Sequence, residues 1–466
     1  MNRRDFIKKL GLGLSVTGFT VTGCKKGTPF TGTDISAGVE VPTDKMTYRL
    51  TPTTGDKVSL LGYGCMRWPM MPDPNGEEGK EVIDQEAVND LVDYALAHGV
   101  NYFDTAPPYV RGLSEEATGK ALVRHPRNSY YIATKLSNQN FANRGLEGKE
   151  LFDASVDMYH NSFKKLQTDY IDYYLLHSIG GGDGIPLLKK RFIDNGLLDF
   201  LLKEREAGRI RNLGFSYHGD VTAYDYLLSM HDDVKWDFVQ IQLNYVDYRH
   251  ASGSNFNAEY LYDELAKRNI PAVIMEPLLG GRLATLTDHL NANLKEREPE
   301  QSIASWAFRF SGTFPNVLTV LSGMTYKEHL EDNIRTYAPL KPLNEEELAM
   351  LEDTAQVLIS YPTVPCNTCD YCMPCPYGIN IPAIFSHYNK CINEGNVTAS
   401  SQHPNYEKAR KAFLVGYDRS VPKLRQASHC IACDQCKPHC PQTIDIPKQL
   451  QRIDKYVESL KQGTLV

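Results

Sequence analysis

The stretch "NYFDTAPPYVRGLSEEATGKAL", residues 101–122, decides the fold. It opens with a short apolar run that ends at Asp104, and Tyr109 follows five residues later, after two prolines. Short apolar runs are typical of buried strands, and prolines separate regular elements. The stretch therefore predicts a strand whose last residue and following loop carry polar side chains.

Seven further apolar runs share this form, and between them lie stretches whose apolar residues recur at three- and four-residue spacing. This alternation of strand and helix patterns favours a (β/α)8 TIM barrel, an α/β fold. No GxGxxG fingerprint follows the first run, which counts against a doubly wound dinucleotide-binding sheet. The eight runs are "VSLLGYG", "NYFDT", "YYIATK", "DYIDYYLLH", "IRNLGFS", "DFVQIQLN", "AVIMEP" and "VLTVLS".

The composition is that of a globular protein and lacks the basic character of nucleic-acid-binding proteins. Of 466 residues, 42% are hydrophobic and 23% are charged, and this length leaves room for more than one domain. The formal net charge of −7 and the pI near 6.0 indicate no basic surface, so nucleic acid is not an expected partner.

The first 24 residues are predicted to be a targeting segment. Arg3 and Arg4 stand together before a weakly apolar stretch. They resemble a twin-arginine signal, which exports folded proteins across the bacterial inner membrane. The segment ends in "VTGC", which resembles a lipoprotein cleavage box with Cys24 as the lipidated residue. A basic, disordered N-terminus is the alternative. Lipoproteins carry more than one acyl chain, so we expect membrane attachment by the lipid anchor only.

Polar residues end three successive strand runs. Asp104 ends the second run, Lys135 ends the third and His177 ends the fourth, while Tyr109 lies in the loop after the second. Each residue taken alone also has a structural explanation, as a helix cap, a packed ring or a solvated tip. In a TIM barrel, however, chemistry is carried by the C-terminal ends of strands and the loops after them.

Together these residues resemble the catalytic tetrad of the aldo/keto reductases, and the chain is identified as a member on the landmarks "DTAPPY", "GLSEEATGKAL", "ATK", "LLH", "GFS" and "EPLLGG". The resemblance implies hydride transfer between a nicotinamide and a carbonyl or alcohol substrate. It assigns Tyr109 as general acid, with a pKa lowered by Lys135, which Asp104 keeps charged. It also implies that His177 donates a hydrogen bond to the substrate carbonyl.

The same resemblance implies cofactor contacts. Ser216 and Gln240 occupy positions that hold the nicotinamide carboxamide, and Asn333 matches a position that contacts adenine. The aromatic residue that commonly stacks on the nicotinamide is Met275 here, and the usual 2′-phosphate clamp is replaced by Gly323 and His329. The cofactor is therefore expected to be NADP or NAD, without a choice between them.

Two cysteine-rich runs follow the barrel. The first, "PCNTCDYCMPCPYGINIP", spans residues 365–382, and the second, "HCIACDQCKPHCPQTIDIP", spans residues 429–447. The second has the C-x2-C-x2-C-x3-C-P spacing of [4Fe–4S] ligation, and five of eight residues agree between "CPYGINIP" and "CPQTIDIP". The runs therefore predict an internal duplication and two [4Fe–4S] clusters in a mainly α-helical ferredoxin-like domain.

In paired motifs of this kind, the fourth cysteine of each run ligates the other cluster. One cluster is thus assigned Cys366, Cys369, Cys372 and Cys440, and the other Cys430, Cys433, Cys436 and Cys375. The first run has x2 instead of x3 before its last cysteine, a departure from the ferredoxin pattern. Zinc sites and a disulfide framework are the alternatives, although zinc ligands usually come as separated pairs. Cys65 and Cys391 are expected to be ordinary buried thiols.

The architecture resembles a bacterial and archaeal subfamily in which a two-cluster domain follows an aldo/keto reductase barrel. We therefore expect an exported oxidoreductase on the periplasmic side of the cell envelope, with a small carbonyl or alcohol substrate and a possible redox partner protein. An iron–sulfur electron carrier with the barrel as a docking scaffold is the alternative. The expected signal peptide, tether, barrel, linker helix and cluster domain are residues 1–24, 25–54, 55–340, 341–364 and 365–466.

Overall fold

A computed structural model describes residues 40–74, 76, 81–182, 184–253, 255–440 and 442–465. Arg3, Arg4 and Cys24 lie outside this range. Eight parallel strands close into a barrel in chain order, and each hydrogen-bonds to its sequence neighbours. They are Leu61–Gly64 (β1), Tyr102–Asp104 (β2), Tyr131–Leu136 (β3), Ile171–Ile179 (β4), Ile210–Tyr217 (β5), Phe238–Gln242 (β6), Ala272–Met275 (β7) and Val317–Ser322 (β8).

Helices follow the strands and cover the outside of the barrel, as the alternating patterns predict. Apolar side chains between strands and helices form the larger core, and a smaller core that includes Tyr102, Tyr173 and Phe238 fills the barrel interior. The barrel helices are Gln85–Ala97, Ser114–Leu122, Gln139–Asn143, Gly148–Leu166, Ile185–Leu188, Leu197–Glu206, Val221–Ser229, His231–Val234, Asp247–His250, Ala258–Lys267, Asp288–Arg297, Ile303–Thr313 and Lys327–Tyr337.

Two short antiparallel pairs accompany the barrel. Tyr48–Leu50 pairs with Lys57–Ser59, and Met70–Pro72 pairs with Glu81–Ile83. The first pair corrects the expected tether, which was predicted to extend to Thr54. Met46 and Thr51 are buried in the folded body, so the chain is already structured by that point.

The helix Glu345–Ile359 follows the barrel and packs on it. Leu351, Ala355 and Leu358 pack into the barrel core. Asn344 and Glu347 form a capping box at its N-terminus, and Glu347 also contacts the buried Arg309. A linker helix was predicted over residues 341–364; the structure has a helix at Glu345–Ile359, and its apolar face packs on the barrel.

The C-terminal segment has its own helical core. Its helices are Ile381–Asn393, Tyr406–Ser420 and Ile446–Gln462, and they bury Phe385, Phe413 and Ile453 among others. The first and third helices start in the same way after the two cysteine runs. Asn380 and Asp445 each cap a helix that begins with Ile-Pro, which accounts for the repeated "INIP" and "IDIP". No helix among the described residues is both long and apolar enough to cross a membrane.

Candidate active site and cysteine groups

The barrel brings four predicted side chains together at the C-terminal ends of its strands. Asp104 is the last residue of β2, Lys135 lies in β3 and His177 lies in β4. Tyr109 begins the 3-10 turn that follows β2. Parallel register places Asp104 beside Ala133, two residues before Lys135, so the carboxylate and the ammonium face each other inside the barrel.

An ion pair lies at the centre of this group. Lys135 Nζ is 2.5 Å from Asp104 Oδ1 and donates a second hydrogen bond of 2.9 Å to Thr105 O. Both charged residues are buried, with 0% and 2% of their surface exposed. Gln240 Nε2 approaches the other carboxylate oxygen at 3.5 Å. Burial lowers the pKa of Lys135 and raises that of Asp104, while their contact opposes both shifts.

The phenol ring of Tyr109 stands over this ion pair. Lys135 Nζ is 4.8 Å from the ring centroid of Tyr109. The His177 ring approaches the Tyr109 ring edge-on, with 6.1 Å between centroids. The four residues therefore form one compact group, open to a cavity of about 1040 Å3 that Tyr109 and His177 line.

The expected lowering of the Tyr109 pKa is not what this structure gives. Burial raises the pKa of Tyr109 well above its usual value, and Asp104 raises it further. Lys135 cannot reverse this shift because it is already paired with Asp104 at 2.5 Å. The phenol is therefore neutral near pH 7 and carries a proton that it can donate.

His177 is held as a neutral imidazole. Burial lowers its pKa well below the usual value, and the cations Lys135 and Arg191 lower it further. Ser137 Oγ lies 2.5 Å from His177 Nδ1. The buried Arg191 donates to the carbonyl oxygen of His177 at 2.6 Å and so fixes the end of β4.

Sequence reasoning missed three residues of this site. Ser137 and Arg191 orient His177, and His218, two residues after Ser216, lines the same cavity. His218 Nδ1 is buried and has no hydrogen-bond partner among the described residues. Burial lowers the pKa of His218 to about 4, so it too is neutral. Its position in "GFSYH", at the end of a strand run, is the signal that could have found it.

None of the three predicted cofactor residues is in the cavity lining, and Ser216 and Asn333 are hydrogen-bonded within the fold. Ser216 Oγ accepts a hydrogen bond of 2.9 Å from Ser178 N–H, and Asn333 donates to Ser322 Oγ at 3.0 Å. Gln240 Oε1, in contrast, is buried without a partner among the described residues. An unpaired buried acceptor costs free energy, so Gln240 fits a ligand that donates an N–H, as a carboxamide does.

The cysteines form two groups that cross between the two runs. Cys366, Cys369, Cys372 and Cys440 line one small cavity. Burial raises the pKa of Cys372, and the other three members of its group raise it further. Cys375, Cys430, Cys433 and Cys436 line a second cavity, into which Cys372 also faces.

All described cysteines are free thiols, and Cys65 and Cys391 are buried. No group of three or more His, Cys, Asp or Glu among the described residues has an arrangement that could hold a metal ion. A tetrahedral zinc site would require the four sulfurs to lie within about 4 Å of one another, because Zn–S bonds are about 2.3 Å long.

Comparison with known proteins agrees with this barrel. A model of the "Aldo/keto reductase family" matches residues 61–356. L-galactose dehydrogenase of Arabidopsis thaliana is 25% identical over 330 residues, 66% of this chain and 93% of that protein. Protein tas of Escherichia coli (strain K12) is 30% identical over 219 residues, 42% of this chain and 58% of that protein. The solved aldo-keto reductase AKR11C1 from Bacillus halodurans (holo form) has the same fold, with 23% sequence identity and a TM-score of 0.50. The match covers 66% of this chain and 96% of that chain.

The family match spans more than half of the chain and includes every strand of the barrel. This chain therefore belongs to the aldo/keto reductase family and is an NAD(P)-linked oxidoreductase.

The buried ion pair leads to a stability prediction. Replacing Lys135 with Met leaves the Asp104 carboxylate buried without its cation, so we expect the free energy of unfolding to fall by about 3–5 kcal/mol. The double variant Lys135→Met with Asp104→Asn buries no charge and should recover part of this loss. Urea unfolding of the single and double variants measures both values. A double variant less stable than Lys135→Met would contradict the ion-pair interpretation.

Proposed function

We propose that this protein reduces a carbonyl, or oxidises the corresponding alcohol, with Tyr109 as the proton donor or acceptor. The observation that carries the proposal is the position of the Tyr109 phenol over the Lys135–Asp104 pair, at 4.8 Å from Lys135 Nζ to the ring centroid. The nicotinamide, when bound, supplies or accepts the hydride. The residues described below supply the proton and hold the substrate oxygen.

In the direction of reduction, negative charge develops on the substrate oxygen, and a neutral phenol can neutralise it by donating its proton. The buried Lys135 ammonium then stabilises the phenolate that remains. If the Ser137 hydroxyl donates to His177 Nδ1, the ring proton lies on Nε2, where it is available to the carbonyl oxygen. Arg191 supports this arrangement through the backbone of His177.

The substrate is proposed to be a small polar carbonyl compound or alcohol. The cavity of about 1040 Å3 has ample room for a molecule of sugar size. The Arabidopsis relative is named an L-galactose dehydrogenase, which agrees with a substrate of this class. The nicotinamide cofactor is proposed to be NADP or NAD, because Gly323 and His329 replace the residues that usually bind the 2′-phosphate.

Tyr109→Phe tests the proposed acid. The variant keeps the ring but loses the proton, so we expect carbonyl reduction to fall by a factor of about 10²–10⁴. NADPH-dependent reduction of 4-nitrobenzaldehyde measures the rate, and NADP+ binding should persist. The control is Tyr326→Phe, which removes an exposed hydroxyl outside the cavity lining. Turnover of Tyr109→Phe equal to that of the unaltered protein would exclude Tyr109 as the proton donor.

We further propose that each cysteine group holds one [4Fe–4S] cluster. The crossed arrangement supports this, because Cys440 lines a cavity with the first run and Cys375 lines one with the second. The spacing of the second run supports it too, since three closely spaced thiolates and a remote fourth are typical of such clusters. Each cluster supplies one-electron transfer when it is bound.

Cys440→Ala provides a sharp test of the cluster assignment. The unaltered protein should contain about eight iron and eight acid-labile sulfide per chain after anaerobic reconstitution. Cys440→Ala should change the same EPR signal as Cys366→Ala, although these cysteines lie in different runs. Cys430→Ala should change the other signal, and Cys391→Ala should change neither, because this buried thiol is outside both groups. Zinc without sulfide in the unaltered protein would refute the clusters.

The location of the protein is a further proposal. The motif at Arg3 and Arg4 and the cysteine at position 24 support twin-arginine export and a lipid anchor on the periplasmic side of the envelope. Cell fractionation checks this proposal, since Cys24→Ala should move the protein from the membrane to the soluble periplasmic fraction. Retention of the variant at the membrane would argue against lipidation at Cys24.

An electron-carrier function remains the second candidate, and the solvent exposure of Cys433 favours a redox partner protein. NADPH added to the anaerobic protein separates the two candidates. Cluster bleaching together with carbonyl turnover supports the reductase, whereas bleaching by an external one-electron reductant alone supports the carrier.

A further inference from the structure

The C-terminal domain supplies part of the wall of the barrel cavity. On the barrel side this cavity is lined by Tyr109, His177 and His218. On the other side it is lined by Asp370, Tyr371 and neighbouring residues of the first cysteine run. A substrate beside Tyr109 therefore lies against a loop that belongs to the C-terminal domain.

Tyr371 is the member of this loop whose chemistry best suits substrate recognition. It stands between Cys369 and Cys372, and its side chain is half-buried in the cavity. Its hydroxyl makes no hydrogen bond to any residue that the structure describes, whereas many other buried tyrosine hydroxyls of the barrel have partners.

We propose that Tyr371 is a specificity-determining residue that contacts the substrate and comes from the C-terminal domain. Its hydroxyl hydrogen-bonds an oxygen of the substrate next to the reacting carbonyl, which favours hydroxylated aldehydes over apolar ones. This proposal rests on the proposed carbonyl chemistry at Tyr109. A site that hydrogen-bonds a hydroxyl of the substrate discriminates against analogues that lack this hydroxyl.

Two aldehydes of similar size test Tyr371. For Tyr371→Phe we expect kcat/KM with glyceraldehyde to fall about tenfold, as for the loss of one hydrogen bond, while kcat/KM with butyraldehyde stays within about twofold. The matched control is Tyr377→Phe, an exposed tyrosine six residues later that does not line the barrel cavity. Equal effects on both aldehydes, or no effect on either, would overturn the proposal.

A binding measurement separates this proposal from the proposed reaction. Saturation-transfer NMR with glyceraldehyde needs no reductant, so it reports contact without turnover. If the unaltered protein binds glyceraldehyde but reduces neither aldehyde, the proposed function fails. Weaker binding by Tyr371→Phe still supports the contact in that case, and unchanged binding overturns it.

A second inference comes from the loops after β7 and β8, against which Asn367 and Arg67 pack. Loops after the seventh and eighth strands of TIM barrels frequently bind phosphate groups. Here the loop after β7 is covered by Asn367, whose side chain donates to Glu276 Oε1. The Asn367 backbone is so close to Gly280 that a Cβ on this glycine would lie 2.4 Å from Asn367 Cα.

Arg67, which follows β1, fastens the same segment to the loop after β8. Arg67 Nη2 donates to Asn367 O at 2.8 Å and to Thr368 Oγ1 at 3.0 Å. Its side chain lies against Gly323, where an added Cβ would be 3.2 Å from Arg67 Cγ. Thr325 Oγ1 in turn donates to Arg67 O at 2.9 Å.

We infer that Asn367 and Thr368 form a latch that competes with the phosphates of the dinucleotide for these two loops. The dinucleotide binds with high affinity only when the latch lifts. Because the latch lies between Cys366 and Cys369, its movement alters the surroundings of the first cysteine group. Binding of the dinucleotide therefore affects the first cysteine group, and a change in this cysteine group affects binding of the dinucleotide.

Asn367→Ala tests the latch. The variant loses the contact with Glu276, so we expect the holoprotein to bind NADP+ at least about fivefold more tightly, as measured by calorimetry under anaerobic conditions. The control Asn396→Ala removes an amide of the C-terminal domain whose Nδ2 donates an exposed hydrogen bond to Glu394. In the unaltered protein, NADP+ should shift the EPR signal of the cluster at Cys366. Unchanged affinity in Asn367→Ala, an unshifted EPR signal, or the absence of NADP+ binding to both proteins would overturn the inference.

Discussion

The ion pair of Lys135 and Asp104 is the interaction on which the site depends. Two opposite charges lie inside the barrel, where each alone would be strongly unfavourable. The pair is stable only while β2 and β3 keep their register and Thr105 O accepts a hydrogen bond from the ammonium group. Apolar residues of similar volume would serve packing equally well. The charges are therefore best explained by the chemistry of the phenol above them.

The same pair explains why neutral groups surround it. Tyr109 and His177 sit in the same low-dielectric region, so each is held in its uncharged form. A neutral phenol and a neutral imidazole can both offer a proton to an oxygen without a further buried charge in the resting state. The C-terminal domain contributes to this low-dielectric setting because its first cysteine run covers part of the barrel mouth.

Much of the barrel was predictable from the sequence because each strand is a short apolar run and each helix has a distinct period. The helix Gly148–Leu166 and the strand Ile171–Ile179 follow such patterns closely. The pair Tyr48–Leu50 and Lys57–Ser59 was missed, since three-residue strands in a segment rich in Thr and Pro leave no periodic signal. The helix Glu345–Ile359 was recognised as a helix, but its partner is a tertiary contact that its own pattern cannot identify.

In the candidate site, too, some features could be predicted from the sequence and others depend on tertiary contacts. Residues at strand ends, such as Asp104 and His177, could be found because the fold itself fixes where they meet. The raised pKa of Tyr109 could not be predicted, because it depends on how deeply the ring is buried. The packing of Asn367 against Gly280 could not be predicted either. It joins residues 87 positions apart in sequence, and no local sequence pattern indicates such a contact.

The crossed cysteine groups have a consequence for biosynthesis. Cys440 shares a cavity with Cys366, and the 54 residues between Cys375 and Cys430 must be made before either group has all its members. The barrel, in contrast, has all its strands by Ser322. A ribosome-bound chain can therefore complete the barrel well before the two cysteine groups have all their members, so assembly of these groups is confined to a late stage, after nearly the entire polypeptide has emerged.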